Sequence, residues 1–214
     1  MLKSIRVPIW LTKNKNFYVN GESGSDTLDA GRGESTSKPF KTIQACIDYV
    51  TSNYNLNRYS IGIRIYPGIY NEQLKLGDFS RTTGYITLIA HEEDYGVTIS
   101  QNNATTMSAS GGLWYLRGLV LKNAVTAVDD GVAHFCSILS ASAGTIHLEG
   151  CDILQEYTGA APTNGSMYLR TLAAYGTSAV IQFDTTARAR NHLRFHKGDA
   201  TRMDILFAER GGSI

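Results

Sequence analysis

Short segments that each begin with glycine recur along this chain. The clearest copies are residues 112–121 (GLWYLRGLVL) and 144–154 (GTIHLEGCDIL), which start 32 positions apart. A looser copy at 176–183 follows after another 32 positions, 84–89 precedes the first copy by 28, and 62–66 starts 22 before that. Each copy is rich in β-forming residues and lacks helical spacing. Because repeats of about 20 to 50 residues indicate a unit stacked on itself, the sequence predicts a β-solenoid.

Alternation of apolar and polar residues assigns the faces of the two clearest copies. One side chain in two points inward along a strand, which predicts these core residues: Trp114, Leu116, Leu119 and Leu121 in the first copy, and Ile146, Leu148, Cys151 and Ile153 in the second. Gly118 and Gly150 fall where the chain must bend between two strands. Successive coils are expected to pair in parallel register about 4.8 Å apart, and five or six coils then form a rod roughly 25–30 Å long.

Composition fits one all-β globular domain of ordinary charge. The 214 residues are 43% hydrophobic and carry a net charge of +1, so neither nucleic acid nor a membrane is expected as a partner. No apolar run approaches the roughly 18 residues of a membrane span, and no motif predicts a cofactor. The three cysteines, Cys46, Cys136 and Cys151, are expected to be buried and free, with a Cys136–Cys151 disulfide left open.

The first third of the chain predicts a start for the solenoid and a cap. Residues 1–16 are expected either to cover the end of the solenoid or to dock, as an arm, on a larger assembly. Pro8 interrupts their apolar run and no small-residue cleavage site follows, so no export signal is expected. Residues 17–214 are then a single domain. Within it, residues 42–52 predict the capping helix, with Thr42 as N-cap and an apolar stripe formed by Ile43, Cys46, Ile47 and Val50.

Three short strings in this region carry a family resemblance. They are YVNG with GSD at 18–26, PFKTIQ at 39–44 and PGIYNE at 67–72. Together they resemble the N-terminal region of the pectin-lyase-like right-handed parallel β-helix superfamily, which includes pectinesterases, polysaccharide lyases, and bacteriophage tailspikes and tail fibres. The resemblance implies an all-β, right-handed parallel β-helix with one N-terminal capping α-helix. It does not fix the function, because one scaffold hosts many activities.

The resemblance also suggests a role and a partner. The catalytic signatures of pectinesterases, polygalacturonases and pectate lyases are missing from this sequence. The apolar residues 203–207 end the solenoid with no capping helix or charged cap after them, and an uncovered coil favours association. Phage members of the superfamily are typically trimers. We therefore expect a homotrimeric virion protein of tailspike, tail-fibre or capsid-decoration type, exposed on the particle and contacting other virion proteins and host surface polysaccharide. A polysaccharide lyase or glycoside hydrolase on the same fold is the alternative.

Candidate catalytic residues are few. Glycan hydrolysis generally uses two carboxylates about 5 to 9.5 Å apart. Glu149 and Asp152 flank the Gly150 bend and are expected to point outward beside His147, which makes these three the candidates for an enzyme. Two weaker sources of acid are Glu156 and the adjacent pair at 129–130, where a turn is expected. The aligned copies place Arg117 over Glu149 and Tyr115 over His147, a pattern typical of surface ladder pairs.

A second candidate site is a run of basic residues near the C-terminus. On one face of a predicted strand lie Arg188, Arg190, His192, Arg194 and His196. This ridge either binds acidic sugars, phosphate or an acidic partner, or is solvated or faces another subunit. His192 and His196 would share a zinc ion only on a helix, and the alternation with Leu193 and Phe195 predicts a strand, so no metal site is expected.

Overall fold

The chain folds almost entirely as β-strands. The computed structural model describes residues 7–79, 83–92, 96–126, 133–158, 166–175, 177–184, 191–196, 202–209 and 211–214. In these ranges 16 strands and one helix are found. No helix in the described ranges is both long and apolar enough to cross a bilayer.

The elements follow one another along the chain with one helix near the start. Their bounds are β1 Ile9–Trp10, β2 Lys15–Val19, α1 Ile43–Asn53, β3 Tyr54–Asn55, β4 Ser60–Ile65, β5 Gly68–Asn71, β6 Leu74–Leu76, β7 Tyr85–Ala90, β8 Val97–Asn102, β9 Met107–Arg117, β10 Leu119–Val125, β11 Ala133–Glu149, β12 Asp152–Tyr157, β13 Ser166–Tyr175, β14 Ala179–Asp184, β15 His192–His196 and β16 Arg202–Glu209.

Every strand pairing recorded among the described residues is parallel. One sheet has five strands in the order β15-β12-β10-β8-β5. The largest sheet has nine strands, with the path β16-β13-β11-β9-β7-β4-β2 and with β14 and β6 paired to β11 and β9. The small third sheet consists of β1 and β3. From β4 to β16 most connections carry the chain from one large sheet to the other; the exceptions are β6 to β7 and β13 to β14, which stay within the nine-stranded sheet.

The parallel registers agree with the predicted repeat at its centre. Tyr115 pairs with His147 and Leu121 with Ile153, both 32 positions apart, while Ile86 pairs with Trp114 at an offset of 28. These offsets are the ones that the glycine-led copies predict. Parallel pairs evenly spaced in this way bring equivalent side chains of successive strands next to each other.

Two other registers differ from the glycine spacing. Ser60 in β4 pairs with Tyr85 in β7 at an offset of 25, not 22, and Gly144 in β11 pairs with Ala179 in β14 at 35, not 32. The copy at 176–183 is therefore shifted by three residues from its predicted alignment. Glycines mark turns, and a turn can gain residues without moving the strand that follows it, so glycine spacing fixes the register only where turn lengths are equal.

The predicted core residues of the two clearest copies all face inward. Their side chains are fully buried: Trp114, Leu116, Leu119, Leu121, Ile146, Leu148, Cys151 and Ile153 are each 0% exposed. These residues belong to one continuous apolar cluster. Stacking leucine on leucine and isoleucine on isoleucine removes apolar surface from water along the whole column, which is the main stabilising contribution in such a structure.

Glycines allow the tight turns between the sheets. Gly118 has φ 66° and Gly150 has φ 60°, both in the left-handed region that other residues rarely adopt. Gly144, with φ 81°, lies where β11 bends, and a Cβ there would approach the Gly112 carbonyl oxygen to 2.5 Å. The predicted structural role of Gly118 and Gly150 is therefore confirmed.

The helix forms where the sequence predicts it. Thr42 is the N-cap and its hydroxyl accepts a hydrogen bond from the Ala45 N–H, while the predicted stripe of Ile43, Cys46, Ile47 and Val50 is buried. Two acidic side chains support the same helix start. Glu72 accepts hydrogen bonds from the backbone N–H groups of Ile43 and Gln44, and Asp26 accepts from those of Lys41 and Thr42. These carboxylates satisfy N–H groups that have no partner within the helix.

The N-terminal segment packs near this helix. β1 pairs with β3 just after the end of α1, and Leu11 belongs to the apolar core. Residues 1–6 lie outside the described ranges. All three cysteines are free and buried, so the Cys136–Cys151 disulfide that the sequence left open is not present.

Candidate functional site

The outer face of the nine-stranded sheet carries a row of aromatic rings. Tyr115 and His147 are register partners on β9 and β11, and their rings stack with centroids 4.4 Å apart and planes inclined by 13°. Tyr85 on β7 meets Tyr115 edge-on, with centroids 5.0 Å apart. Side chains at matched positions of adjacent strands are close enough to stack in this way. The predicted alignment of Tyr115 with His147 is confirmed.

Glu149 forms an ion pair along the same face. Its Oε2 lies 2.7 Å from Nε of Arg117, its register partner on β9. The approach is close in distance but does not meet hydrogen-bond geometry at Nε. The Arg117 guanidinium also lies 5.3 Å from the ring centroid of Tyr115. Glu149 is thus held by a cation beside an aromatic ring.

His147 has an acidic partner on the next strand. Its Nδ1 lies 2.7 Å from Oδ2 of Asp184, at the end of β14. A second oxygen of Asp184 accepts a hydrogen bond from the side chain of Gln182 at 3.2 Å. Carboxylate contact at Nδ1 orients an imidazole and favours the tautomer that leaves Nε2 as the basic nitrogen. A histidine with such a partner can accept a proton from a bound water or hydroxyl group.

Asp152 lies in the other large sheet. It begins β12 and contacts Arg194 on β15, with its Oδ1 3.2 Å from Nε. The hydrogen bond to Asp152 raises the pKa of the Arg194 guanidinium. Glu149 and Asp152 therefore flank the Gly150 turn as expected, but each is bound to a different arginine on a different sheet. Glu156 lies four residues after Asp152 on β12, and its Oε2 is 3.3 Å from Nζ of Lys122.

Only part of the predicted basic ridge lies in the described residues. His192 and Arg194 are on β15 and exposed, and Leu193 between them packs on the core, as alternation predicts. Arg188 and Arg190 lie outside the described ranges, as do the acids at 129–130, and of His196 only its place in β15 is described. Four residues of strand separate His192 from His196 by about 13 Å, and the described residues contain no group of three potential metal ligands.

A cleft runs along the bend of β9 and β11. It has a volume of about 450 Å³ and is floored by Gly111, Gly112 and Gly144. Its other lining residues are small or polar, apart from one leucine, and four of them carry hydroxyl groups: Asp78, Thr83, Gly84, Ser110, Leu113, Ala143, Thr145 and Ser178. A groove of about 250 Å³ adjoins it at Ser110. The volume is within the range of small-molecule sites, about 300–1,000 Å³.

The cleft and the ring row are neighbours on one face. Thr145 lines the cleft and precedes His147 by two residues on the same strand, so both side chains project on the same side about 7 Å apart. Gly84, another lining residue, directly precedes Tyr85. The candidate site therefore combines a cleft that contains four hydroxyl groups with the polar edges of Tyr115 and His147.

Sequence reasoning identified His147, Glu149 and Asp152 but missed Asp184 and the cleft. Asp184 escaped because the 32-residue repeat aligns His147 with Ala179, whereas the structural register aligns it with Gln182. The signal that was present is the cluster of glycines at 111, 112 and 144, where the space for a side chain is filled by Asp78, by the Phe79 ring and by the backbone of 111–112, respectively. Compared with known protein families, curated proteins and solved structures, the chain shows no match.

Proposed function

We propose that this chain is a short right-handed parallel β-helix of about five to six coils that serves as a non-enzymatic virion component of tailspike, tail-fibre or capsid-decoration type. The all-parallel pairing and the alternation of strands between the two large sheets support the β-helical winding. The N-terminal strings that resemble the pectin-lyase-like superfamily support its handedness and its phage setting.

One observation carries the non-enzymatic part of the proposal. Three candidate acids are each in contact with a basic group on the neighbouring strand: Glu149 with Arg117, Asp152 with Arg194 and Glu156 with Lys122. A glycosidase needs one carboxyl group that can give up its proton and a second one free to act on the sugar. Ladder pairs of this kind instead leave each carboxylate in contact with a neighbouring basic group, which suits a rigid supporting body.

The proposed role is contact with host surface polysaccharide by a trimer exposed on the particle. The cleft beside Tyr115 and His147, with its four hydroxyl groups, is a second surface suited to sugar hydroxyls, in addition to the ridge that contains His192 and Arg194. Neither surface depends on the cleavage of a glycosidic bond. Trimer formation would cover the exposed end of the stack, where Leu206 on β16 is 53% exposed.

The test is to measure mass, binding and cleavage on one preparation. Light scattering at micromolar concentration is expected to give three times the chain mass of 23.4 kDa. Host capsular polysaccharide is expected to bind without release of new reducing ends. A monodisperse monomer, or release of oligosaccharide by the wild type, contradicts the proposal.

The alternative function is cleavage of the polysaccharide, and one contact favours it. His147 with Asp184 at 2.7 Å is a suitable acid–base pair beside a cleft. The variants Glu149→Gln, Asp152→Asn and His147→Gln separate the two functions. If the wild type releases oligosaccharide and one of these variants does not, the depolymerase function replaces the structural one.

A further inference from the structure

The N-terminal arm exposes apolar side chains to an unusual degree. We define the arm surface as Val7, Ile9, Trp10 and Lys13. Val7 is 78% exposed, Ile9 55% and Trp10 60%. Because Ile9 and Trp10 are consecutive in β1, they project on opposite sides of the strand, so both sides of the strand are apolar and uncovered. Contiguous exposed apolar groups of this kind mark interaction sites.

The arm also offers backbone groups and a groove. Among the described residues β1 pairs with β3 alone, so its second edge is open for pairing. A groove of about 260 Å³ follows the arm from Ile9 to Lys15 and is closed on one side by Tyr54. The arm therefore presents both an open strand edge and a groove to a partner.

A loop at the same end of the molecule has the complementary character. We define the loop surface as Glu22, Leu28 and Asp29, within residues 20–38. Leu28 is 59% exposed. Residues 20–38 hold four acids (Glu22, Asp26, Asp29, Glu34) and two bases (Arg32, Lys38), so 2 − 4 gives a net charge of −2. Residues 7–16 hold two lysines and no acid, a net charge of +2. Lys15 is already bound to Glu34 of the same chain, and Asp29 to Arg32 and Lys38, so the charges that a contact between copies would use are Lys13 and Glu22.

Contacts within one chain place the arm and the loop side by side. Lys15 at the end of the arm forms an ion pair with Glu34 of the loop at 2.8 Å, and the Tyr54 hydroxyl donates to the same carboxylate. The loop is also joined to β2, since the Tyr18 N–H donates to the Gly33 carbonyl oxygen. In a parallel assembly both surfaces are thus at one end, within reach of the neighbouring copies.

From the complementary charge and the shared position we infer that the arm surface of one copy docks on the loop surface of the next copy. Such a contact joins two different patches and closes into a ring when the rotation between copies is one third of a turn. The apolar groups Trp10 and Leu28 would supply the buried area, and Lys13 facing Glu22 would fix the pairing by charge. This inference rests on the proposed trimer and identifies one of its interfaces, at the β2 end of the nine-stranded sheet, whereas β16 lies at the other end.

The first test uses the two tryptophans. Trp114 is fully buried and Trp10 is 60% exposed in the single chain, so acrylamide quenches chiefly Trp10. Quenching of wild-type fluorescence is expected to fall several-fold as the concentration rises through the range where sedimentation velocity detects trimer. Trp10→Phe should remove this concentration dependence and leave a signal from Trp114 alone.

The second test exchanges charges across the contact. Lys13→Glu and Glu22→Lys are each expected to weaken association at least tenfold, because each places like charges together, and the double variant is expected to restore it. Ile69→Lys is the matched control, since Ile69 is 73% exposed but lies on β5. It should leave the sedimentation behaviour unchanged.

The outcomes separate the inference from the trimer itself. A trimer in which Trp10 stays fully accessible to acrylamide, or which tolerates both single charge reversals, overturns the arm-to-loop contact and leaves the trimer in place. A monomer at all concentrations overturns both. A trimer lost on each single reversal and recovered in the double variant supports the contact.

Discussion

Nε of Arg117 lies 2.7 Å from Oε2 of Glu149, its register partner 32 positions along the chain. Two residues earlier on each of the same two strands, the Tyr115 ring stacks on the His147 ring. The two contacts share a cause: parallel strands in register bring equivalent positions together on the outer face. The repeat therefore determines which side chains meet on the outer surface, as it does in the apolar core.

The ion pair itself is expected to contribute little to stability. The Arg117 side chain is 41% exposed, so water screens the attraction. A double-mutant cycle with Arg117→Ala and Glu149→Ala should give a coupling of about 0.5 kcal/mol in chemical denaturation. The Lys122–Glu156 pair at 3.3 Å is the matched comparison and should be no stronger. A coupling above about 2 kcal/mol would mean that the pair is far less solvated than its exposure indicates.

A small substitution at the bend of β11 is expected to have a large effect on stability. Gly144→Ala should lower the free energy of unfolding by about 2–4 kcal/mol, because alanine is strained at φ 81° and its Cβ would overlap the Gly112 carbonyl oxygen. Gly77→Ala is the control: the nearest atom to its added Cβ is 3.9 Å away, and the change should stay within about 0.5 kcal/mol. Equal effects of the two substitutions in denaturant titrations would contradict this account of the bend.

Tyr54 predicts loss of stability in alkali. Burial raises the pKa of its phenol, and the Glu34 carboxylate that accepts its hydrogen bond raises it further. Since the folded pKa lies above the unfolded value, this contribution is complete below about pH 10 and is lost as the pH rises above it. Unfolding free energies measured from pH 9 to 12 should fall by up to about 1.4 kcal/mol per pH unit more steeply in the wild type than in Tyr54→Phe. Equal slopes in the wild type and in Tyr54→Phe would contradict this contribution.

The cysteines are expected to be inert in the native protein. Cys46, Cys136 and Cys151 are buried and free, and burial raises the pKa of the Cys46 and Cys136 thiols. A thiol reagent such as 5,5′-dithiobis(2-nitrobenzoic acid) should label none of them under native conditions and all three in denaturant. Labelling of fewer than three in denaturant without reductant would indicate a disulfide.

Much of the fold follows from local sequence features. Alternation gave the inward residues, the cap and apolar stripe gave α1, and equal turn lengths gave the register between 112–121 and 144–154. The outer registers shifted because the number of residues from β4 to β7 and from β11 to β14 departs from the glycine spacing by three, and turn length leaves no periodic trace. The register between strands is thus predictable where the repeat length is constant and not where it changes.

The candidate site was harder to predict for the same reason. His147 and Asp184 are 37 positions apart and Asp152 and Arg194 are 42 apart, so neither pair follows the 32-residue repeat. The cleft depends on the bend of β9 and β11, and the sequence gives only the glycines that allow it. Predicting a site formed by residues of several strands requires the register of every intervening strand. One turn of unexpected length is therefore enough to prevent the prediction.

Cross-linking of register partners tests the parallel stack most directly. Leu113 and Thr145 are partners on β9 and β11 and both project outward. Their Cα atoms should lie about 5 Å apart, within the range that a disulfide bridges. In the control, Leu113 is combined with Glu149, four residues and about 13 Å further along the strand.

After mild oxidation, peptide mapping by mass spectrometry should find the link between positions 113 and 145 in the variant Leu113→Cys/Thr145→Cys. It should find no link in Leu113→Cys/Glu149→Cys. A link in the control, or none in the register pair, would contradict the parallel pairing of β9 with β11 at an offset of 32 residues.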